Sequence, residues 1–216
     1  MSDLSTKGII LTKTSFGESD LIFDLLQETG ERISFFVRGG KKIKSKFTGV
    51  IQIGNFIKVN YSTGKNFNYP KEMEVDSKKR FDFYSKTLEG MNFFADIILI
   101  SKSISKDFES PTLYQEIATA FQSAQNGGEL VKIYNNFLNK TLNELGFETE
   151  LQCSMSGERI EDKEFYYHPE TNKAFKKENK PKSLDLPFIQ RDEVFTKNYL
   201  KKIFAGNVSH YIRLKF

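Results

Sequence analysis

The chain has 216 residues, 38% hydrophobic and 28% charged, with a formal net charge of +4, the balance of a globular protein with one good core or two small ones. No apolar run approaches the ~20 residues that span a bilayer, and the start MSDLSTKG lacks the basic, apolar and small-residue segments of an export signal. A lone Cys153 excludes an internal disulfide, so the expectation is a cytoplasmic protein with no membrane partner.

Charge is unevenly spread. Residues 1–80 hold 14 Lys/Arg against 9 Asp/Glu, residues 81–147 hold 5 against 8, and residues 148–216 hold 13 against 11. A basic N-terminal part and an acidic middle suggest segments with different partners. Tryptophan is absent and Phe numbers 21, which is read as a Phe-packed interior and not as a stacking platform.

The first 76 residues carry period-2 patterning. Gly8 to Thr14 and Asp20 to Gln27 are the first two strand candidates. Ile33, Phe35 and Val37 then alternate with Ser34 and Phe36. Ile57, Val59 and Tyr61 alternate with Lys58, Asn60 and Ser62, and Phe67, Tyr69, Lys71, Met73 and Val75 form the longest series. Turn signals at Phe16–Ser19, Glu28–Glu31 and Ser62–Lys65 separate them. Pro70 cannot donate to a ladder, so it predicts an edge strand. Five short strands in this length form a small barrel, either an OB-fold or an SH3-like one, and periodicity does not choose between them.

From about Phe81 the period becomes helical: Phe83, Leu88, Met91, Phe94, Ala95, Ile98 and Leu99 share a stripe, with Asp82 placed as a first-turn carboxylate. Ser110-Pro111 reads as an N-cap and first turn ahead of Leu113, Ile117, Ala120 and Phe121, and Gly127-Gly128 ends that helix. A third helix is expected from Glu129 to Leu145, stopped by Gly146. Residues 150–190 hold Cys153, Gly157, Phe165-Tyr166-Tyr167 and the polar turn Pro169–Asn172, the marks of a small hairpin-bearing insert. Asp192 to Phe204 is expected to be a last helix.

Nothing points to catalysis. The two histidines, His168 and His210, stand in no triad setting, and Gly39-Gly40-Lys41-Lys42 lacks the spacing of a nucleotide-binding glycine loop. Cys153 to Gly157 has the outline of a zinc knuckle, but Ser156 stands where a second cysteine would, and two ligands at most do not make a structural metal site. No metal and no cofactor are expected. Packing of Phe165, Tyr166, Tyr167 and Phe175 is expected to stabilise the insert instead.

The most informative segment is Arg38 to Lys46, RGGKKIKSK, with Arg38, Lys41, Lys42, Lys44 and Lys46 and no acid. Clustered cations concentrate a polyanion and release its counterions; taken alone, the run fits a solvated loop equally well. In an extended segment Lys44 and Lys46 would share one face, with Phe47 tucked into the barrel and Gly39-Gly40 allowing a tight turn or a close approach to DNA.

The run Gly8–Leu11, Phe16-Gly17-Glu18-Ser19-Asp20-Leu21-Ile22, Glu28–Ile33, and Arg38-Gly39-Gly40 leading to Lys44-Ser45-Lys46-Phe47 and Ile51-Gln52 resembles the bacterial recombination mediator family RecO. The likeness is good over about residues 7 to 157 and weak beyond. It implies an α+β chain with an N-terminal five-stranded OB-fold β-barrel (1–79) followed by an α-helical domain (80–216). That domain would hold a small degenerate zinc-ribbon-like insert at about 150–184. It further implies a DNA repair and recombination mediator that binds single- and double-stranded DNA, anneals complementary strands, and with RecR helps load RecA onto DNA coated by single-stranded DNA-binding protein. The DNA-binding residues would be Arg38, Lys41, Lys42, Lys44 and Lys46, in a cytoplasmic, nucleoid-associated protein. Two departures stand out. The second cysteine pair falls at Lys176 and Asn179, and the tail from Gly206 to Tyr211 keeps only a trace of the family's basic ending. The alternatives are a non-catalytic interaction module with a small β-barrel and no annealing activity, and an enzyme such as a nuclease. The Lys197, Lys201 and Lys202 helix is a candidate receptor for the acidic tail of single-stranded DNA-binding protein, though a solvated helix face is the more usual role for such a set.

Overall fold

A computed structural model describes residues 4–144, 156–158, 164–168, 173–176, 178 and 188–190. Cys153, the segment Asp192 to Phe204 with Lys197, Lys201 and Lys202, and the tail from Gly206 to Tyr211 lie outside the described residues. The chain divides into two compact units, Met1–Leu130 and Val131–Phe216.

The first unit opens with β1 (Leu4–Phe16), β2 (Asp20–Gln27), β3 (Arg32–Val37), β4 (Phe56–Thr63) and β5 (Asn68–Val75), closed into a barrel in the order β1-β2-β3-β5-β4. This is a five-stranded OB-type barrel, and the strand positions follow the period-2 reading. One face of each strand supplies the interior: Ile10, Leu21, Phe23, Leu25, Phe35, Val37, Ile57 and Val59 form one core cluster. Burying side chains of this size contributes about 1.5–3 kcal/mol each. The segment between β3 and β4 adds Phe47 and Ile51 to that cluster, so the expected tuck of Phe47 is what the fold shows.

Pro70 departs from expectation. It lies inside a strand with neighbours on both sides, paired with Tyr61 where the β4–β5 register shifts between Asn60 and Tyr61. The bulge gives a residue without an N–H its place. Closure against β3 is a single parallel pair, Phe35 with Asn68, so Pro70 meets no ladder partner on that side.

A cross-strand network stiffens β1 to β3. Asp24 accepts from Arg32 (2.6 Å), Ser34 (2.6 Å) and Thr12 (2.7 Å). Burial alone would raise its pKa; the hydrogen bonds from Arg32, Ser34 and Thr12 outweigh that and hold the carboxyl below its usual range. Arg32 also donates to the Lys102 carbonyl at 3.2 Å, tying the barrel to the first helix.

That helix, α1 (Leu88–Asp107), begins later than the stripe suggested. Thr87 caps it by accepting from the Gly90 N–H, and Glu89 is its first-turn acid. Phe83 belongs to a separate 3-10 turn, Phe83–Ser85. Asp82 accepts from the Gln125 amide (2.7 Å) and pairs with Lys86 (3.1 Å), a more local use for its charge than the helix dipole. Helix α2 (Pro111–Gln125) follows the reading closely: Ser110 accepts from the Leu113 N–H and Pro111 stands in the first turn. The phenylalanine excess packs here. Phe56 at the start of β4 meets Phe81, Tyr114 and Phe121 edge-on at 5.5 to 6.4 Å, and Phe94 stacks on Phe121 at 5.3 Å. Such pairs add about 0.5–1.5 kcal/mol beyond area burial. Tyr114 donates to Glu28 (3.1 Å) and accepts from Lys79 (2.9 Å); burial first, then the Glu28 carboxylate, push the phenol well above its ordinary pKa.

The second unit contains all but the first residue of α3 (Leu130–Glu144), which buries Tyr134, Phe137 and Leu138, and a three-stranded sheet of β6 (Glu164–His168), β7 (Lys173–Phe175) and β8 (Phe188–Gln190) in the order β7-β6-β8. The expected hairpin is present as the antiparallel β6–β7 pair, with His168 ending β6 opposite Lys173. Phe175 is buried. Lys176, at a position where the resemblance places a metal ligand, donates to Glu158 at 2.7 Å; that ion pair holds the Glu158 carboxyl below its usual range. No cluster of three or more His, Cys, Asp or Glu that could hold a metal occurs among the described residues. Among them, too, no helix is long and apolar enough to cross a membrane.

Candidate nucleic-acid interface

The five cations of residues 38–46 leave the end of β3 and enter a chain of turns. Gly40 N–H donates to the Val37 carbonyl (3.2 Å), Lys42 N–H to Gly39 (3.1 Å), Ser45 N–H to Lys42 (2.8 Å) and Thr48 N–H to Ser45 (3.2 Å). The extended segment that would align Lys44 with Lys46 is therefore absent. Each of these four N–H groups meets a carbonyl three residues back, and Arg38, Lys41, Lys42, Lys44 and Lys46 are all exposed. Both glycines are used by the protein itself. Gly39 has φ +67, and a Cβ on Gly40 would come within 3.0 to 3.1 Å of the Leu21 side chain.

The turn between β1 and β2 holds this loop in place. Asp20 accepts from the Gly39 N–H at 2.7 Å and from the Ser19 hydroxyl at 2.9 Å. The Lys41 N–H donates to the Ser19 carbonyl at 2.8 Å, and the Lys41 ammonium donates to the Gly17 carbonyl at 3.2 Å. Two motifs that are 19 residues apart at Asp20 and Gly39 are thus one structural piece. The Gly39 N–H first, then the Ser19 hydroxyl and the charges of Arg38 and Lys42, keep the Asp20 carboxyl below its usual range.

This has a sign that can be checked. A carboxyl lowered by folding holds its contacts fully above its unfolded pKa of about 3.9 and loses them as pH falls through the lower folded value. Loop docking should therefore be the same at about pH 5 and about pH 7 and fail only in stronger acid. Asp20→Ala is expected to speed amide exchange at Gly39 by about an order of magnitude at neutral pH, with the β2 and β3 amides unchanged. Hydrogen exchange followed by NMR reads both outcomes.

The cations are not equivalent. Lys46 donates to the Lys71 carbonyl at 2.8 Å and lies 4.8 Å from the Phe47 ring centroid, and Lys41 is bound to Gly17. Among the described residues, the ammonium groups of Lys42 and Lys44 and the Arg38 guanidinium have no hydrogen-bond acceptor, Arg38 and Lys42 feeling only the field of Asp20. The charges of all five remain available to a polyanion, and three have their donors free as well.

Outward-facing rings are the feature that composition hid. Phe16 is 52% exposed and Tyr69 41% exposed, and Phe36 lies between the buried Phe35 and Val37 on β3. The signal was in the sequence: in strict alternation, Phe35 and Phe36 cannot both face the core.

Residues 1–77 match the family model described as Recombination protein O N terminal. A protein named DNA repair protein RecO from Leptospira biflexa serovar Patoc is 26% identical over 170 residues, covering 78% of this chain and 68% of its own length. The protein of the same name from Dehalococcoides mccartyi strain CBDB1 is 24% identical over 214 residues, covering 99% of this chain and 83% of its own. Among solved structures, a chain of the S. pombe Stn1-ten1 complex matches with a TM-score of 0.27 and 14% identity over 46% of this chain and 75% of that one. Residues 1–77, a barrel of OB topology with the GESD turn pinned to the basic loop, are thus similar to the N-terminal domain of recombination protein O, and proteins named DNA repair protein RecO align with most of the chain at 24–26% identity.

Proposed function

We propose that the chain works in recombinational DNA repair by holding the sugar-phosphate backbone of single- and double-stranded DNA on Arg38, Lys41, Lys42, Lys44 and Lys46. On this reading it anneals complementary strands and, with RecR, helps bring RecA onto DNA coated by single-stranded DNA-binding protein, as a nucleoid-associated protein of the cytoplasm. The observation that carries the reading is the loop itself: five exposed cations on turns pinned by Asp20, three of them with donors that meet no acceptor among the described residues. Annealing needs no catalytic acid or base. A surface that neutralises phosphates on two strands lowers their repulsion and leaves pairing to provide specificity, and the proposed protein is accordingly not an enzyme.

Strand annealing with labelled complementary oligonucleotides, bare and coated with single-stranded DNA-binding protein, tests this. The expected result is accelerated pairing in both cases, lost in high salt. Binding of RecR without any acceleration would instead make the chain an interaction module. Shortening of the strands in the presence of a divalent metal would make it a nuclease.

A further inference from the structure

The outer face of the barrel carries a row of four rings. Phe36, on β3, has its ring centroid 5.6 Å from Phe16 at the end of β1, 5.8 Å from Phe67 and 6.0 Å from Tyr69 on β5. The row spans three strands across the barrel surface on the side away from the core cluster, to which none of the four belongs. With Phe16 and Tyr69 about half exposed, an apolar aromatic face stands open to water, and such a face asks for an occupant.

Charge says which. Arg38 follows Phe36 by two residues, in the turn just past the end of β3, and the Lys41 ammonium is bound to the Gly17 carbonyl, the residue after Phe16. At the other end, Lys65 is exposed in the turn closed by the Gly64 N–H on the Phe67 carbonyl at 2.9 Å. Glu18 is exposed on the β1–β2 turn, and Asp20 is already engaged by Gly39 and Ser19. Rings bracketed by cations match a polyanion with planar apolar groups, which describes unpaired nucleotides. A duplex hides its base faces in the stack and offers only phosphates.

We infer that Phe16, Phe36, Phe67 and Tyr69 form a stacking surface for the unpaired bases of single-stranded DNA, flanked by Arg38 and Lys65 on the phosphates. The inference rests on the proposed DNA-holding role and adds to it: the basic loop binds single and double strands alike, and the rings favour the single strand. Every base has a π face, so the preference is tolerant of sequence. The site would hold splayed bases ready for pairing with an incoming strand.

The test uses the full chain with an oligonucleotide of about 15 thymidines and a duplex of the same length. Phe16→Leu with Tyr69→Leu removes two exposed rings and keeps apolar bulk, so the barrel is expected to stay folded by circular dichroism. Single-strand affinity should fall about tenfold or more, duplex affinity should stay within about twofold, and the salt slope should not change. Unchanged single-strand affinity, the result expected if the face seats an apolar peptide instead, would overturn the inference; so would equal losses on single strand and duplex. If the unaltered protein binds neither DNA, the DNA-holding role falls along with it, whereas salt-dependent binding untouched by the ring variants removes the stacking surface alone. Irradiation of the bound oligonucleotide carrying 5-iododeoxyuridine gives a second reading without any variant. Crosslinks are expected on peptides containing Phe16, Phe36, Phe67 or Tyr69, and crosslinks confined to other peptides would overturn the assignment.

Discussion

Replacing Arg38, Lys42 and Lys44 together with Glu is expected to abolish most DNA binding, for every sequence and for both strand states. These are the three cations of the loop whose donors meet no acceptor among the described residues. The five loop contacts contribute roughly −3.5 to the log-log salt slope on a single strand, and the two that remain contribute about −1.4, at ~0.7 per phosphate. At about 0.1 M salt each lost contact is worth ~0.7 of a log unit, so affinity should drop by a factor of about 10² before the added repulsion is counted. Anisotropy titrations at several salt concentrations measure slope and affinity together. A slope that stays near its starting value would mean that the phosphates sit elsewhere, and a loss limited to one sequence would point to base readout. Lys46 is a poor choice for this test. Its ammonium holds the Lys71 carbonyl and lies over Phe47, so reversing it disturbs the loop as well as the charge.

The second large effect is on stability and comes from Gly30. Its φ is +89, and a Cβ built there would lie 2.3 to 2.5 Å from backbone atoms of Ser110 and Pro111. Those residues cap and begin α2, so no flexible side chain can yield. Gly30→Ala must either lift the β2–β3 turn or shift the start of α2. Either movement would disturb the Ser110 cap on Leu113 and the neighbouring Glu28–Tyr114 hydrogen bond. A destabilisation of roughly 3 kcal/mol is expected, about 1–2 from the left-handed backbone and about 1–3 from overpacking. Gly127→Ala is the matched control: its φ is +82, and nothing lies within 4 Å of the added Cβ. It should lose only the backbone part. Urea unfolding of both variants separates the two contributions, and equal losses would show that the turn does not press on α2 in solution.

How far the sequence could be read depended on whether a feature was local. Alternation in Ile33–Val37 and Ile57–Tyr61 marked strands because a pleated strand turns every second side chain to the same face, whatever its neighbours are. Ser110-Pro111 marked the start of α2 because capping satisfies N–H groups within one turn. Asp82 misled for a related reason. A carboxylate near a helix start is favourable in isolation, but Gln125, 43 residues along the chain, supplied a nearer partner. The glycines of the β2–β3 turn and of Arg38–Lys46 were legible as turn residues; that Gly30 presses on α2 and Gly40 on Leu21 was not.

The same division runs through the candidate interface. By itself, the sequence determined that five cations lie together after the third strand, that Phe47 belongs inside, and that the first five strands suit a small barrel. The closed order β1-β2-β3-β5-β4, the docking of Gly39 on Asp20, the use of Lys46 by the Lys71 carbonyl 25 residues away, and the outward row of Phe16, Phe36, Phe67 and Tyr69 were decided only by tertiary structure. Periodicity reports which face of an element a residue occupies, but hydrogen bonds and ring contacts depend on which elements barrel closure brings together.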